Sequence, residues 1–199
     1  MSIARPFNFS KSKYAINDIG SYEHRANIVH CIYTEAEATA EDVEGIHDAI
    51  DCTNAKKSVN NGFKAMSCAR NITATVSGKA DDIKAVKVKV TGLNAKHQEI
   101  SEELPAFKGA GTVKGKKAFI AVTKVEIPAM SGKCTVSIGT GSALGLPYIL
   151  IGNTVLCTLF GGKKEATAPA VTTGTAIEDN TITITSALAG KQIDAYLLV

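Results

Sequence analysis

The stretch Asn71-Ile72-Thr73-Ala74-Thr75-Val76-Ser77 alternates apolar and polar side chains at every second position. Because successive side chains of a β-strand point to opposite faces, this period of two predicts a strand with one face in a core. Residues 83–91 follow the same pattern, with lysines set between Ile and Val residues. Branching at Cβ suits a pleated sheet, and the β-branched residues are concentrated after about Asn71.

More strand-like segments follow along the chain, and each is separated from the next by turn residues such as Ser131-Gly132 and Gly161-Gly162. Strands that recur every ~8 to 12 residues between such turns are typical of sandwiches and barrels. The sequence therefore predicts a mainly β protein with a β-sandwich or barrel-like body. The additional predicted strands cover residues 117–127, 134–138, 153–160, 180–185 and 192–199.

The first third of the chain has a different composition, which suggests an N-terminal arm and mixed region over 1–67 and a β-sandwich body over 68–199. Residues 6–10 are predicted to form an extended arm, and residues 26–34 a strand or a short helix. Thr39 is a candidate N-cap, because apolar residues follow it at helical spacing. An irregular, partly helical N-terminal region is therefore expected. The helical positions are Val43, Ile46, Ala49 and Ile50.

Composition excludes several classes of protein. Hydrophobic residues make up 45% of the 199 residues and charged residues 21%, which is ordinary for a folded domain. The formal net charge of +3 is too small to indicate a nucleic-acid partner by itself. No apolar run approaches the ~20 residues of a membrane-spanning helix, and no signal peptide is recognisable, so we expect synthesis in the cytoplasm. The lysine groups at 56–57, 114–117 and 163–164 are predicted to lie in solvated turns.

The five cysteines contain no C-x-x-C pair, so the sequence gives no support for a zinc ribbon or a thioredoxin-type motif. One interpretation is that they are small buried side chains. The alternative is a disulfide between neighbouring subunits, since an odd number cannot all pair within one chain. The five are Cys31, Cys52, Cys68, Cys134 and Cys157.

Two glycine-containing segments resemble nucleotide-binding loops but depart from them. Residues 139–145 have the spacing G-x-G-x-x-x-G, and Pro147 follows, so the helix that holds a pyrophosphate cannot continue there. Residues 110–117 have Ala and Lys where a P-loop needs its first Gly and its Ser or Thr. We expect a hairpin turn at 110–117 and no bound dinucleotide.

The remaining polar groups form no recognisable catalytic or metal-binding pattern. Glu102 and Glu103 are adjacent, so on a strand they point to opposite faces and cannot act as a carboxylate pair. A metal site is conceivable where His and Cys are close in sequence, but their spacing matches no known ligand set. We therefore expect no catalytic residue, no metal and no cofactor, and we expect that the protein is not an enzyme. The residues considered for a metal are His24, His30, Cys31 and His47.

The order of several short segments in residues 70–199 resembles a family of tailed-bacteriophage virion structural proteins. The segments are Thr91-Gly92-Leu93-Asn94, Glu99-Ile100-Ser101-Glu102-Glu103-Leu104-Pro105-Ala106-Phe107, Gly115-Lys116-Lys117-Ala118-Phe119, Val136-Ser137-Ile138-Gly139-Thr140-Gly141 and Leu144-Gly145-Leu146-Pro147-Tyr148. The match continues through Asn153-Thr154-Val155-Leu156 and Glu165-Ala166-Thr167-Ala168-Pro169 to the closing strand.

The resemblance implies a β-rich virion component without enzymatic activity. Its expected role is a capsid decoration, or cement, protein that binds the lattice of the major capsid protein at the capsid surface. A tail or neck component and a host-surface-binding β-sandwich module are the alternatives. The expected partners are the major capsid protein or other virion proteins and further copies of the chain, with a trimer as the expected form, and with no nucleic acid and no membrane.

Contact with those partners is assigned to the N-terminal arm, because an extended arm can lie along a neighbour and add strand-type hydrogen bonds. The candidate contact residues are Arg5, Pro6, Phe7, Phe9, Tyr14 and Tyr22.

Overall fold

The computed structural model describes residues 27–199, which form fourteen β-strands in three antiparallel sheets and two short 3-10 helices. The predicted mainly β class, with a sandwich or barrel-like body, is confirmed for these residues. The strands are β1 (Ile28–Tyr33), β2 (Asp42–Asp51), β3 (Lys57–Val59), β4 (Arg70–Gly78), β5 (Lys89–Leu93), β6 (Glu99–Glu103), β7 (Gly111–Phe119), β8 (Ala121–Ile127), β9 (Cys134–Gly145), β10 (Val155–Phe160), β11 (Lys163–Lys164), β12 (Ala170–Thr172), β13 (Thr181–Thr183) and β14 (Ile193–Leu198). The 3-10 helices cover Ala80–Asp82 and Ile177–Asp179.

The central sheet has the strand order β12-β13-β9-β4-β7, and β2 pairs with β9. Strand β4, which contains the alternating stretch at 71–77, is hydrogen-bonded to β9 on one side and to β7 on the other. Its apolar side chains Ile72, Ala74 and Val76 are buried. The period of two therefore placed this strand correctly.

The larger core lies between the central sheet and a four-stranded sheet with the order β3-β8-β5-β6. Ile138 from β9 and Phe119 from β7 pack in it with Val90 from β5 and Ile127 from β8, and all four side chains are fully buried. Two sheets that share one apolar layer form a sandwich.

A smaller core lies under the third sheet, which has the order β1-β14-β10-β11. Ile193 and Leu197 from β14 pack there with Leu144 from β9 and Ile182 from β13. Strand β9 is 12 residues long and contributes to both cores, because Val136 near its start belongs to the larger one. This long strand connects the two packed layers.

The predicted helix after Thr39 is wrong, because residues Asp42–Asp51 form strand β2. Side chains four positions apart lie on one side of a strand as well as of a helix, so the buried pair Ile46 and Ile50 satisfied both periods. Gly45 and the β-branched residues of this segment disfavour a helix. The segment forms a strand because it pairs with β9, with two register shifts. Residues 1–26 lie outside the described residues.

Several predicted strand limits change. Residues 83–88 form no sheet pairing, although Val88 is buried and its carbonyl accepts a hydrogen bond from Leu104 N at 2.8 Å. The segment 117–127 is split between β7 and β8 at Ile120, whose N–H donates to Leu93 O at 2.8 Å. The predicted strand at 134–138 continues to Gly145 as β9.

The turn predicted for 110–117 is also wrong, because Gly111–Phe119 form β7. Lys114 and Lys116 are exposed on this strand while Gly115 between them is buried, so alternation alone keeps these lysines in solvent. Lys163 and Lys164 form the short strand β11 after a turn at Gly161-Gly162.

Each of the three sheets combines a strand from before residue 68 with strands from after it.

Candidate interaction surface

The outer face of the third sheet exposes large apolar side chains. On β1, Val29, Cys31 and Tyr33 pack in or against the smaller core. Because side chains alternate along a strand, Ile28, His30 and Ile32 point the other way, and Ile32 is 52% exposed. Strand β1 therefore presents an apolar row to solvent.

Neighbouring strands extend this row across the sheet. Leu198 of β14 lies opposite Ile28, and Tyr196 lies opposite His30 on one side and Cys157 of β10 on the other. Leu156 is the extra residue of a β-bulge in β10 and is 52% exposed. We call this set the outer face; it comprises Ile28, His30, Ile32, Leu156, Cys157, Asp194, Tyr196 and Leu198.

A polar cluster lies in the middle of the outer face. His30 Nε2 is 2.8 Å from Asp194 Oδ1, and the Gln192 amide donates to both carboxylate oxygens of Asp194 at 3.0 and 3.1 Å. The His30 ring stacks on the Tyr196 ring, with centroids 4.3 Å apart and planes 7° apart. These contacts hold four side chains in fixed orientations on an otherwise apolar surface.

Strand β1 is also an open sheet edge: among residues 27–199 it pairs with β14 alone. Asn27 N donates to Val199 O at 2.8 Å and Val199 N donates to Asn27 O at 2.9 Å, so this is a hydrogen-bonded pair. Hydrogen-bonded and non-hydrogen-bonded pairs alternate in an antiparallel ladder. The backbone N–H and C=O groups of Ile28, His30 and Ile32 therefore point to the open side.

A groove of about 470 Å³ runs beside this open edge. Its lining combines residues 30–33 of β1 with His97, Pro147 and Tyr148. Glu37 is the one carboxylate among the described lining residues, which include no Lys or Arg. The groove therefore combines apolar and aromatic side chains with neutral polar ones, and it has a single acidic side chain.

Buried polar groups fix the floor of the groove. The Tyr33 hydroxyl donates to Gly145 O at 2.9 Å, and burial raises the pKa of Tyr33 far above its usual range. The Cys68 thiol donates to Glu37 O at 3.4 Å, and burial raises the pKa of Cys68 to about 11. Burial also raises the pKa of Cys31. At neutral pH all three groups are protonated and neutral.

The predicted contact residues in the N-terminal arm lie outside the described residues, so their contacts stay predictions. These are Arg5, Pro6, Phe7, Phe9, Tyr14 and Tyr22. His24, considered for a metal, lies outside as well. His30 and His47 are on different sheets, and within residues 27–199 no three His, Cys, Asp or Glu side chains are placed to share a metal ion.

The glycines at 139–145 serve packing. They lie in β9, and a Cβ at Gly139 would be 2.1 Å from Asp42 O of β2. A Cβ at Gly141 would be 2.3 Å from Asn71 Oδ1. The missing side chains thus allow the close approach of neighbouring strands. The dinucleotide-loop interpretation, already disfavoured by spacing, has no helix here to support it.

Glu102 and Glu103 point in opposite directions, as their adjacency predicts. The Glu102 carboxylate accepts from the backbone N–H groups of Lys116 and Lys117 at 2.7 and 3.2 Å. Glu103 forms an exposed ion pair with Lys87 at 3.5 Å. Both carboxylates therefore have structural partners.

Sequence reasoning missed the buried polar side chains, and Arg70 and Asn180 are two examples. The Arg70 guanidinium is 3% exposed; its Nε donates to Gly141 O at 2.8 Å and its Nη1 to Thr39 O at 3.0 Å. Asn180 is fully buried, and its Nδ2 donates to Ala176 O at 2.7 Å while its Oδ1 accepts from Leu150 N at 2.9 Å. Such residues cannot be told from exposed ones by type, because the sequence does not show which carbonyls surround them.

Four of the five cysteines are buried, and Cys157 on the outer face is half-buried. All five are free thiols in this chain. The interpretation as small buried side chains is confirmed for Cys31, Cys52, Cys68 and Cys134, while the disulfide between subunits stays a prediction. Cys157 is the member of the set with partial access to solvent.

Comparisons with protein-family models, with curated proteins and with solved structures find no match to this chain. In the described part of the chain, neither helical segment has the length and apolar character needed to cross a membrane.

Proposed function

We propose that this chain is a virion structural protein that decorates the capsid as a cement protein and bridges neighbouring subunits of the major capsid protein. The observation that carries the proposal is the outer face, where Ile28, Ile32 and Leu156 are exposed around an ordered polar cluster. A contiguous apolar patch exposed on a folded protein often marks a protein interaction site. The resemblance of residues 70–199 to tailed-bacteriophage virion proteins supports a virion partner.

The body has the mechanical character that a bridging protein needs. Three sheets enclose two apolar cores to which strand β9 contributes side chains, so a force applied at one sheet reaches the others through packed core side chains. Weak contacts by each copy are sufficient on a lattice, because many copies and a high local concentration raise the overall affinity. We further propose homo-oligomers, with a trimer as the expected form, and no catalytic activity.

Co-sedimentation with capsids assembled from the major capsid protein tests the proposal. We expect saturable binding at a fixed number of chains per capsid subunit. Ile32→Asp places a charge on the outer face and should weaken binding at least tenfold, since an unpaired buried charge is costly. Ile151→Asp is the matched control, because Ile151 is fully exposed and belongs to no strand of this sheet.

Two results would contradict the proposal. The first is wild-type protein that stays in the supernatant at all capsid concentrations. The second is binding that Ile32→Asp and Ile151→Asp affect equally, because the outer face would then have no special part in it.

A host-surface-binding module is the second candidate, and the groove beside β1 is the observation that favours it. Tyr33, Tyr148 and His97 give the groove aromatic walls, which suit the faces of sugar rings. Retention of the purified chain on host glycans, lost in Tyr148→Ala, would favour this candidate. A tail or neck component would dock through the same surfaces. It would be present in fewer copies per particle than a capsid decoration protein.

A further inference from the structure

We infer that the groove beside β1 receives the arm Arg5–Phe9 of a second copy of this chain, which adds a strand to the open sheet edge. The inference rests on the proposed function for its choice of a second copy as the donor. It names the receiving surface, whereas the sequence assigned contact only to the arm. The geometry of the edge, the character of the groove and the charge of the arm each contribute an argument.

The edge of β1 is open to an added strand. Unpaired N–H and C=O groups at a sheet edge are a template for another strand, and proteins usually block such edges with charges or by shortness. The other edges in the described part of the chain are blocked in this way: β2, β6 and β7 carry several charged residues, β11 is Lys163-Lys164, and β3 and β12 have three residues each. Strand β1 has six residues, Ile-Val-His-Cys-Ile-Tyr, without Lys, Arg, Asp or Glu.

The groove has aromatic side chains that suit those of the arm. Residues Phe7-Asn8-Phe9-Ser10 alternate aromatic and polar side chains, which is the period of a strand. An added strand would direct Phe7 and Phe9 to one face, where the groove offers Tyr33, Pro147 and Tyr148. Main-chain hydrogen bonds then supply affinity, and pockets for alternate side chains supply specificity.

The arm and the groove carry charges of opposite sign. The arm Arg5–Phe9 contains one charged side chain, Arg5, and residues 10–17 add Lys11 and Lys13 and no Asp or Glu. Among its described lining residues the groove has Glu37 and no Lys or Arg. Opposite charges across an interface fix its register and orientation.

The chain is long enough for the arm of one copy to reach a second copy. The 18 residues between Phe9 and Ile28 span roughly 60 Å when extended. A domain of about 200 residues has a radius of gyration of only roughly 16 Å. The arm is therefore long enough to reach the β1 edge of a neighbouring subunit, and this would link copies on a lattice.

Amide hydrogen exchange on the full-length protein, followed by NMR at low and high protein concentration, tests this inference. We expect the amides of Ile28, His30 and Ile32 to exchange at least tenfold more slowly at high concentration, because a bound strand protects them. The double variant Phe7→Ser, Phe9→Ser should lose this protection. So should Ile32→Pro, which removes an edge donor without removing a hydrogen bond to β14.

Ile32→Ala is the matched control, because it removes the same side chain but keeps the backbone N–H, and protection of Ile28 and His30 should persist. Thermal unfolding verifies that each variant is folded. If Ile32→Pro is unfolded, the double Phe variant decides, since its substitutions change no residue of a described strand.

Two outcomes overturn the inference. Protection that is independent of concentration in a monomer would show that a chain covers its own edge. Fast exchange of all three amides at every concentration would show that no strand binds there. Capsid co-sedimentation is a separate readout. A chain that binds capsids but leaves this edge unprotected would refute the binding of the arm to a second copy, and the proposed cement role would stand.

Discussion

The imidazole of His30 lies flat on the ring of Tyr196, with centroids 4.3 Å apart, on the solvent side of the third sheet. The two residues face each other across β1 and β14, and His30 Nε2 also contacts the Asp194 carboxylate at 2.8 Å. The stack therefore orders the centre of the outer face before any partner binds. A preordered surface loses less side-chain entropy on binding.

Substitution of His30 separates stacking from hydrogen bonding. His30→Phe keeps an aromatic ring on Tyr196 and leaves Asp194 bonded to Gln192, so the free energy of unfolding should fall by less than about 1 kcal/mol. His30→Ala loses both contacts and should cost about 1–2 kcal/mol. Urea unfolding curves measure both values. Equal losses in the two variants would show that the stack contributes nothing.

Asn180 should be among the most sensitive polar positions. Asn180→Ala leaves Leu150 N and the carbonyls of Gly174 and Ala176 without their side-chain partner in a buried site, at a cost of about 2–4 kcal/mol. Asn153→Ala is the control, because exposed Asn153 accepts a single hydrogen bond from Val155 N at 3.2 Å. Thermal or urea unfolding compares the two variants. Similar losses in the free energy of unfolding would show that the buried hydrogen bonds of Asn180 contribute no more than the exposed one of Asn153.

Gly139 should tolerate no side chain. Gly139→Ala places a methyl group 2.1 Å from Asp42 O, so β2 must shift away from β9 and the free energy of unfolding should fall by about 1–3 kcal/mol. Gly152→Ala is the control, because no atom lies within 4 Å of the added methyl group. Calorimetry measures both variants. A Gly139→Ala protein as stable as Gly152→Ala would remove the packing explanation of this glycine.

Stability should fall in alkali. Burial raises the pKa of Cys52 and of Cys68 from 9.0 to about 11, and it raises the pKa of Tyr33. Between pH 9 and 11 the unfolded chain therefore binds fewer protons than the folded chain, and the free energy of unfolding decreases as pH rises. Each such group contributes up to about 1.4 kcal/mol per pH unit.

Urea unfolding at pH 8, 9, 10 and 11 checks this dependence. The double variant Cys52→Ala, Cys68→Ala is the control, and its stability should depend less steeply on pH between 9 and 11. A stability that is constant over this range in the wild-type protein would contradict the assignment of these groups as buried and neutral.

The sequence predicted the elements that local alternation determines. Strand β4 follows from the pattern at 71–77, and β10, β13 and β14 lie within predicted segments. Strand β2 was misassigned, because the spacing of Ile46 and Ile50 fits both a helix and a strand, and only pairing with β9 distinguishes them. Local pattern does not contain that long-range partner.

The candidate surface was less accessible to sequence reasoning. Ile28 and Ile32 have the same residue types as core residues, and their exposure depends on which face of β1 meets the smaller core. The open edge is likewise a property of strand order, because β14 joins β1 from the far end of the chain. Topology, and not local composition, creates both features.

The number of copies of this chain per virion is the most direct test of the cement role. Quantitative mass spectrometry of purified particles, with the major capsid protein as the internal standard, measures it. The account predicts hundreds of copies in a fixed ratio to the capsid protein. Absence of the chain from purified particles, or only a few copies per particle, would contradict it.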